Sequence, residues 1–310
     1  MSKIQSPSYS ILCFACLGFS LACPAIAREP GAGNAYSQGS SIGLPTGANP
    51  PEGVWFEDTS SVYVAQATDT EGTTKNGTKI TAISTAPRIL WTTPWKFLGA
   101  TEMAFVVMPI VNLDVSNIPG QSGVTGHSLA FANPEFVPIN LSWNLGIPGL
   151  FGSATFGFYP PIGRYSSNAT VNIGDNFWTF QPEAALSYIS PRWVLSVHFL
   201  YNTNTEDKAT DYTSGDQLFV DLTALHNFGK WSVGPVAYYT KQVTPDKNQG
   251  TYYGADHPLY GEPGAFAPGL LVGYKAGKVQ LAGYFTHDVV ASQGGDVGTR
   301  VYFRVMFPFS

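Results

Sequence analysis

The chain has 310 residues, 44% hydrophobic and 14% aromatic but only 12% charged, with a net charge of −5. Soluble domains carry about a quarter of their residues as charges, so this composition excludes an ordinary soluble globule, and 20 Phe, 16 Tyr and 7 Trp exclude disorder. A mean hydropathy of +0.01 is too low for a polytopic helical membrane protein, and the acidic balance argues against nucleic acid as a partner.

At the amino terminus Lys3 precedes an apolar run from Ile11 to Ala22, and Ala25-Ile26-Ala27 gives the small-x-small pattern of a signal-peptidase site. The run is too short for a transmembrane helix, which needs about 20 residues, so residues 1–27 are expected to be a cleaved export signal. Cys13, Cys16 and Cys23 all fall inside it. The exported chain then has no disulfide, and a large closed sheet is the alternative means of holding an exported fold together. Residues 28–52 are rich in Gly, Pro and Ser and show no strand pattern; they are expected to form either a flexible leader or a plug folded into a lumen.

From residue 53 onward, apolar and polar residues alternate in blocks of strand length. The blocks predict twelve strands, starting near Gly53, Lys79, Ala100, Leu129, Leu150, Phe177, Arg192, Gln217, Trp231, Ala267, Val279 and Val297. Connections expected to be long, at 67–77, 114–128, 163–176, 202–216, 242–266 and 288–296, alternate with short ones at 93–99, 146–149, 190–191, 229–230 and 275–278. Tight periplasmic turns, long extracellular loops and an even strand number describe an outer-membrane barrel. The expected fold is therefore all-β, a single antiparallel transmembrane β-barrel of about 12 strands over residues 53–310, exported to the outer membrane of a Gram-negative bacterium. Lipid requires closure, because an open edge would leave backbone groups unpaired. Pro109, Pro138, Pro182 and Pro235 fall inside strand blocks and predict bulges or boundary shifts.

The side-chain period of two sorts each block into faces. In the last block Val297, Thr299, Val301, Phe303, Val305, Phe307 and Phe309 share a lipid-facing side, and Arg300, Tyr302, Arg304 and Met306 point inward. The same alternation turns Glu183, Asp221, Glu102, His198, Phe219, Tyr238 and Tyr284 to the lumen. Ionisable groups at membrane depth are costly unless paired or wet. Arg300 and Arg304 are thus expected either to clamp carboxylates across the lumen or to form a charged constriction that selects solutes. Twelve strands enclose a narrow passage, and an aromatic lining suits small hydrophobic or aromatic solutes. Tyr252, Tyr253 and Tyr260 in the longest loop form a candidate capture surface.

Several segments form a recognisable series: Leu186-Ser187-Tyr188, Asp211-Tyr212-Thr213-Ser214-Gly215-Asp216, Phe228-Gly229-Lys230-Trp231, Tyr238-Tyr239, Val243-Thr244-Pro245-Asp246 and the terminal Phe307-Pro308-Phe309. With Pro50-Pro51-Glu52-Gly53-Val54-Trp55 at the first strand, they resemble the MetA-pathway of phenol degradation family of outer-membrane proteins. The resemblance spans residues 50–309. It implies an outer-membrane barrel associated with uptake of aromatic or other hydrophobic compounds, with outer-membrane lipids around it and assembly machinery reading its last strand. Ser310 departs from an aromatic terminus.

No catalytic motif is expected to operate. Gly39-Ser40-Ser41-Ile42-Gly43 matches the nucleophile-elbow pattern, but that motif needs a strand before it and a helix after it. His127, His198, His226, His257 and His287 lack metal-ligand spacing, and no cofactor is needed for passive transport. The leading expectation is a channel for small hydrophobic or aromatic compounds. The alternatives are a lipid-modifying hydrolase, which needs a Ser–His pair on neighbouring strands near the lipid boundary and for which His226 and Ser232 flank a tight turn near the periplasmic end, and a plugged structural or adhesive barrel.

Overall fold

A computed structural model describes residues 29, 32–68, 74, 77–117, 125–254, 262–292 and 295–309. The expected signal 1–27 lies outside them, as do Arg28, Tyr260 and Ser310. The strands are β1 (Gly53–Ala67), β2 (Lys79–Phe97), β3 (Ala100–Val107), β4 (Ile110–Ser116), β5 (Thr125–Phe131), β6 (Glu135–Asn144), β7 (Leu150–Tyr159), β8 (Thr179–Ile189) and β9 (Trp193–Asn204). They continue as β10 (Tyr212–Thr213), β11 (Gln217–Phe228), β12 (Trp231–Gln242), β13 (Lys247–Asn248), β14 (Gly264–Ala276), β15 (Val279–His287), β16 (Val290–Ser292) and β17 (Asp296–Pro308).

These make a closed barrel of twelve staves. β2 pairs along its outer half with β4 and along its inner half with β3, so β3 and β4 are one stave interrupted at Met108-Pro109. β5 and β6 form the next, and β15 and β16 both pair β14. β10 and β13 pair with each other apart from the wall. Closure comes from β1, which pairs antiparallel with both β2 and β17. Every stave thereby finds two neighbours, as lipid demands.

The prolines fall where the ladder is interrupted. Pro109 sits between β3 and β4, and Pro138 lies at a register shift between β6 and β7. At Pro182 the β8–β9 pairing lapses between Phe180↔Thr203 and Glu183↔Leu200. At Pro235 the β11–β12 pairing lapses between Thr223↔Val236 and His226↔Val233. A residue without an N–H cannot join the ladder there. Several expected boundaries moved: β2 runs on to Phe97, β5 begins at Thr125 and β14 at Gly264, and the connection placed at 288–296 is shortened because β16 continues the stave to Ser292.

The faces follow the alternation. Val301 and Phe303 are each 53% exposed on the lipid side, while Tyr302 and Arg304 between them are 2% and 3% exposed. By the short-turn rule, Leu98-Gly99 and Gly229-Lys230 mark the periplasmic end, where Leu98, Gly99 and Gly229 take positive φ. Both Gly53 and Phe309 lie at that end, with the Phe309 amide donating to the Val54 carbonyl and Phe56, Phe307 and Phe309 in mutual ring contact.

Candidate functional site: a lumen threaded by the leader

Residues 32–52 have no strand of their own, yet they make the densest polar contacts of the interior. At the extracellular end Glu29 Oε1 accepts hydrogen bonds from Thr210 (2.8 Å), Tyr165 (3.1 Å) and Tyr253 (3.0 Å), all in the long loops. Midway, the Asp221 carboxylate accepts from Tyr36 Oη (2.6 Å), the Gly39 amide (3.2 Å), the Ser41 amide (3.2 Å) and Ser41 Oγ (2.7 Å). Arg304 donates to the Ile42 carbonyl (2.5 Å), the Ser40 carbonyl, Tyr284 Oη and Thr59 Oγ1. Lower down, Ser187 Oγ accepts from the Gly47 amide (2.8 Å) and Ser142 Oγ donates to the Gly47 carbonyl (2.7 Å). Asn49 reaches the Thr101 carbonyl near the periplasmic turn.

An apolar anchor reinforces these bonds. Ile42, fully buried, packs with Leu225, Val236, Tyr238, Ala267, Leu271, Tyr284 and Tyr302. Tyr36 meets Phe219 edge-on at 5.3 Å. Neutral hydrogen bonds contribute roughly 1 kcal/mol each and those to a charge about 1.5–3, so the Asp221 and Arg304 clusters dominate the docking.

Glycines at 39, 43 and 47 allow the close approach. Gly39 and Gly43 take φ of 77° and 86°, where a side chain is strained. A Cβ at Gly47 would lie 2.7 Å from both the Phe151 carbonyl oxygen and the Ser187 amide nitrogen. Gly47→Val is therefore expected to lift the lower leader off the wall. In detergent, chymotrypsin cleavage at Tyr36 should accelerate about tenfold, the effect of losing roughly 1.4 kcal/mol of docking; an unchanged rate would refute the close packing.

Of the sequence-predicted lumen residues, Arg300, Arg304, Glu183, Asp221, His198, Phe219, Tyr238 and Tyr284 lie on the inner face. Arg300 stacks over the Tyr63 ring at 4.1 Å and donates to Ser37 Oγ, gripping the leader rather than a carboxylate. Arg304 lies 3.5 Å from Glu57 on the adjoining strand, so neither arginine clamps a carboxylate across the lumen. Tyr284 stacks on Tyr302 at 4.2 Å, and Tyr238 donates to Asp288.

Glu102 requires correction. Met103 packs with Trp55 and Leu90 beside the leader's Leu44, and Phe105 joins them, so the odd positions of β3 face the lumen and Glu102 faces outward. The bulge between Thr92 and Lys96 shifts that register next to the turn. The loop tyrosines also divide. Tyr253 turns inward to Glu29, while Tyr252 is exposed and donates to the Ser167 carbonyl.

Sequence reasoning missed Glu57, Arg88 and Glu135. They lie in one cross-strand row, Glu57↔Arg88, Arg88↔Val107 and Val107↔Glu135. Arg88 approaches Glu57 at 3.7 Å and stacks over Phe105 at 4.6 Å. Extending the alternation of β1 and β2 would have found the first two. Above this row, between the upper leader and β1 to β5, lies a cavity of about 500 Å³. Ile80, Ala82, Ala86, Val111, Leu113 and Val171 form much of its wall, and Glu57, Arg88 and Glu135 are its polar groups toward the periplasmic side.

The elbow-like segment brings a serine to a histidine. Ser41 Oγ is 2.9 Å from His198 Nδ1, and His198 Nε2 is 2.8 Å from Glu183 Oε2. A hydroxyl has one proton, however, and Ser41 directs it to Asp221 at 2.7 Å. The Gly39 and Ser41 amides, which an oxyanion would need, are also bound to that carboxylate. His226 and Ser232 do not meet either: Ser232 donates to Asn227, and His226 packs against Trp193. Among the described residues no group of three or more His, Cys, Asp or Glu side chains could hold a metal ion.

The motif residues behind the resemblance buttress the extracellular cap. Tyr212 Oη and the Gly215 amide both donate to Asp246, and Thr244 Oγ1 accepts from the Asp216 amide.

A closed twelve-stave antiparallel barrel with an apolar belt and a polar, filled lumen is the architecture of an outer-membrane β-barrel. The chain matches the MetA-pathway of phenol degradation family over residues 64–305 and belongs to it. Its fold is similar to that of an outer membrane channel from Pseudomonas putida F1, at 15% identity and a TM-score of 0.73, covering 84% of this chain and 97% of that one. The transport unit of the autotransporter AIDA-I from Escherichia coli is more distant, at 10% identity and a TM-score of 0.50 over 88% and 95% of the two chains. A search of curated proteins finds no match.

Proposed function

We propose that this protein is an outer-membrane channel for small, largely apolar solutes, aromatic ones included, which pass by way of the cavity beside the leader. The observation that carries this reading is the cavity itself. Its volume of about 500 Å³ falls in the range of small-molecule sites, which are mostly apolar with a few placed polar groups. The aliphatic wall accepts a hydrocarbon body, and Arg88 with Glu57 and Glu135 offers a polar group somewhere to bond. Passive transport of this kind requires no cofactor.

Cells carrying the protein should take up toluene and phenol faster than cells lacking it. Ala86→Trp, which fills the cavity from its wall, should remove most of that advantage while leaving heat-modifiable migration on a gel intact. Equal uptake with and without the protein would sink the proposal. Hydrolysis remains a second reading because of Ser41, His198 and Glu183. Esterase activity abolished by Ser41→Ala would favour it, and its absence is the expected result, since Asp221 holds the hydroxyl proton.

A further inference from the structure

The leader's upper end is fixed at the extracellular mouth by a pair of buried carboxylates. Glu29 is 1% exposed and Asp207 0%. Three hydroxyls crowd Glu29 Oε1 and the Glu29 amide donates to Ser214 Oγ, whereas Glu29 Oε2 and Asp207 Oδ2 have no hydrogen-bond partner among the described residues. The other Asp207 oxygen accepts from Asn176 and the Ala209 amide. Tyr165 faces both carboxylates. Among the described residues, no Lys, Arg or His forms an ion pair with either acid. The Asp207 charge beside a dry, unpartnered Glu29 oxygen opposes the ionisation of Glu29, and that oxygen is where a retained proton would sit.

We propose that Glu29, buried beside Asp207, is a proton-operated latch that fastens the upper leader to the extracellular loops in acid and loosens it as the outside approaches neutrality. The groups that face Glu29 are Tyr165 from the 160–178 loop, Asp207, Thr210, Tyr212 and Ser214 from the 205–216 loop, and Tyr253 from the 243–263 loop, with Asp246 behind Tyr212. Burial pushes the Glu29 carboxyl from 4.5 up to about 7; the Thr210 hydroxyl opposes this and the Asp207 charge adds to it. The sign follows from linkage. A carboxyl held higher when docked than when free favours docking fully below about pH 4.5. That advantage drains away as the pH rises through 7, a shift of roughly 300-fold in the docking equilibrium at tenfold per pH unit. Ala32 to Tyr36 line the cavity, so release widens its outer opening.

The test places a nitroxide at residue 33 through Gly33→Cys, where a Cβ meets nothing within 4 Å, in the full chain with Cys13, Cys16 and Cys23 replaced by Ser. Spectra are recorded in liposomes between pH 4.5 and 8. The mobile fraction should rise toward neutral pH in the parent. In Glu29→Gln, which cannot ionise, it should stay low throughout. Tyr253→Phe removes a hydroxyl that favours the ionised form, so docking should weaken by a larger factor between pH 4.5 and 8 than in the parent; this variant decides the matter if Glu29→Gln fails to fold. A mobile fraction independent of pH, a response unchanged in Glu29→Gln, or a loss of docking from pH 4.5 to 8 no larger in Tyr253→Phe than in the parent would overturn the latch.

Discussion

Deleting residues 32–49 should raise the single-channel conductance several-fold while the barrel stays folded. The leader supplies the partners of Asp221, Arg304, Ser142 and Ser187, yet it contributes no rung to the ladder, which β1 closes against β17 without it. Its removal exposes those wall groups to water rather than stranding them in a dry core, so the cost to the barrel is bounded by lost packing around Ile42. The experiment compares full-length and deleted proteins refolded into planar bilayers, with heat-modifiable migration as the folding control. An unchanged conductance would mean that the segment does not constrict the lumen in a membrane. A lost barrel would mean that the leader is needed for closure.

Arg304→Met should be the most damaging single substitution in the lumen, costing about 3 kcal/mol or more in guanidinium unfolding. The guanidinium joins Thr59 and Tyr284 of the wall to the Ser40 and Ile42 carbonyls of the leader, and lies 3.5 Å from the buried Glu57. Removing one partner of a buried charge leaves the other uncompensated, a loss of about 3–5 kcal/mol when no other cation is near; Arg88 at 3.7 Å from Glu57 softens it here. Arg300→Met should cost far less, because Arg300 serves Ser37, Gln38 and the Tyr63 ring and pairs with no carboxylate at bonding distance. Arg304→Met should also raise conductance by loosening the leader. A loss below about 1 kcal/mol, or equal losses at both sites, would contradict the assigned geometry.

The twelve staves and their faces were legible in the sequence because a spanning sheet leaves little choice. Lipid enforces backbone pairing and a side-chain period of two, so Val301, Phe303 and Arg304 were sorted by position alone. Glu102 failed because in β3 it is the apolar Met103 and Phe105 that face the lumen, where they pack beside the leader's Leu44, and the strand's own pattern does not reveal that the leader lies there. Pairing of the leader was equally hidden. Its Gly-Ser-rich composition reads as flexible, since no period organises it and its partners lie from 52 to 264 positions away, as with Asn49 and Thr101 or Ser40 and Arg304.

Local composition and short-range periodicity were enough to specify an all-β barrel, the count of its staves and, Glu102 apart, which of the singled-out side chains face inward. What those inward groups hold emerges only when the chain is folded: Ser41 on Asp221, Arg304 on the leader's carbonyls, Glu29 beneath three loop hydroxyls, and a half-lumen cavity above Arg88. Those pairings arise when distant strands close into a ring and a segment with no period of its own finds the unpaired polar groups that closure leaves inside.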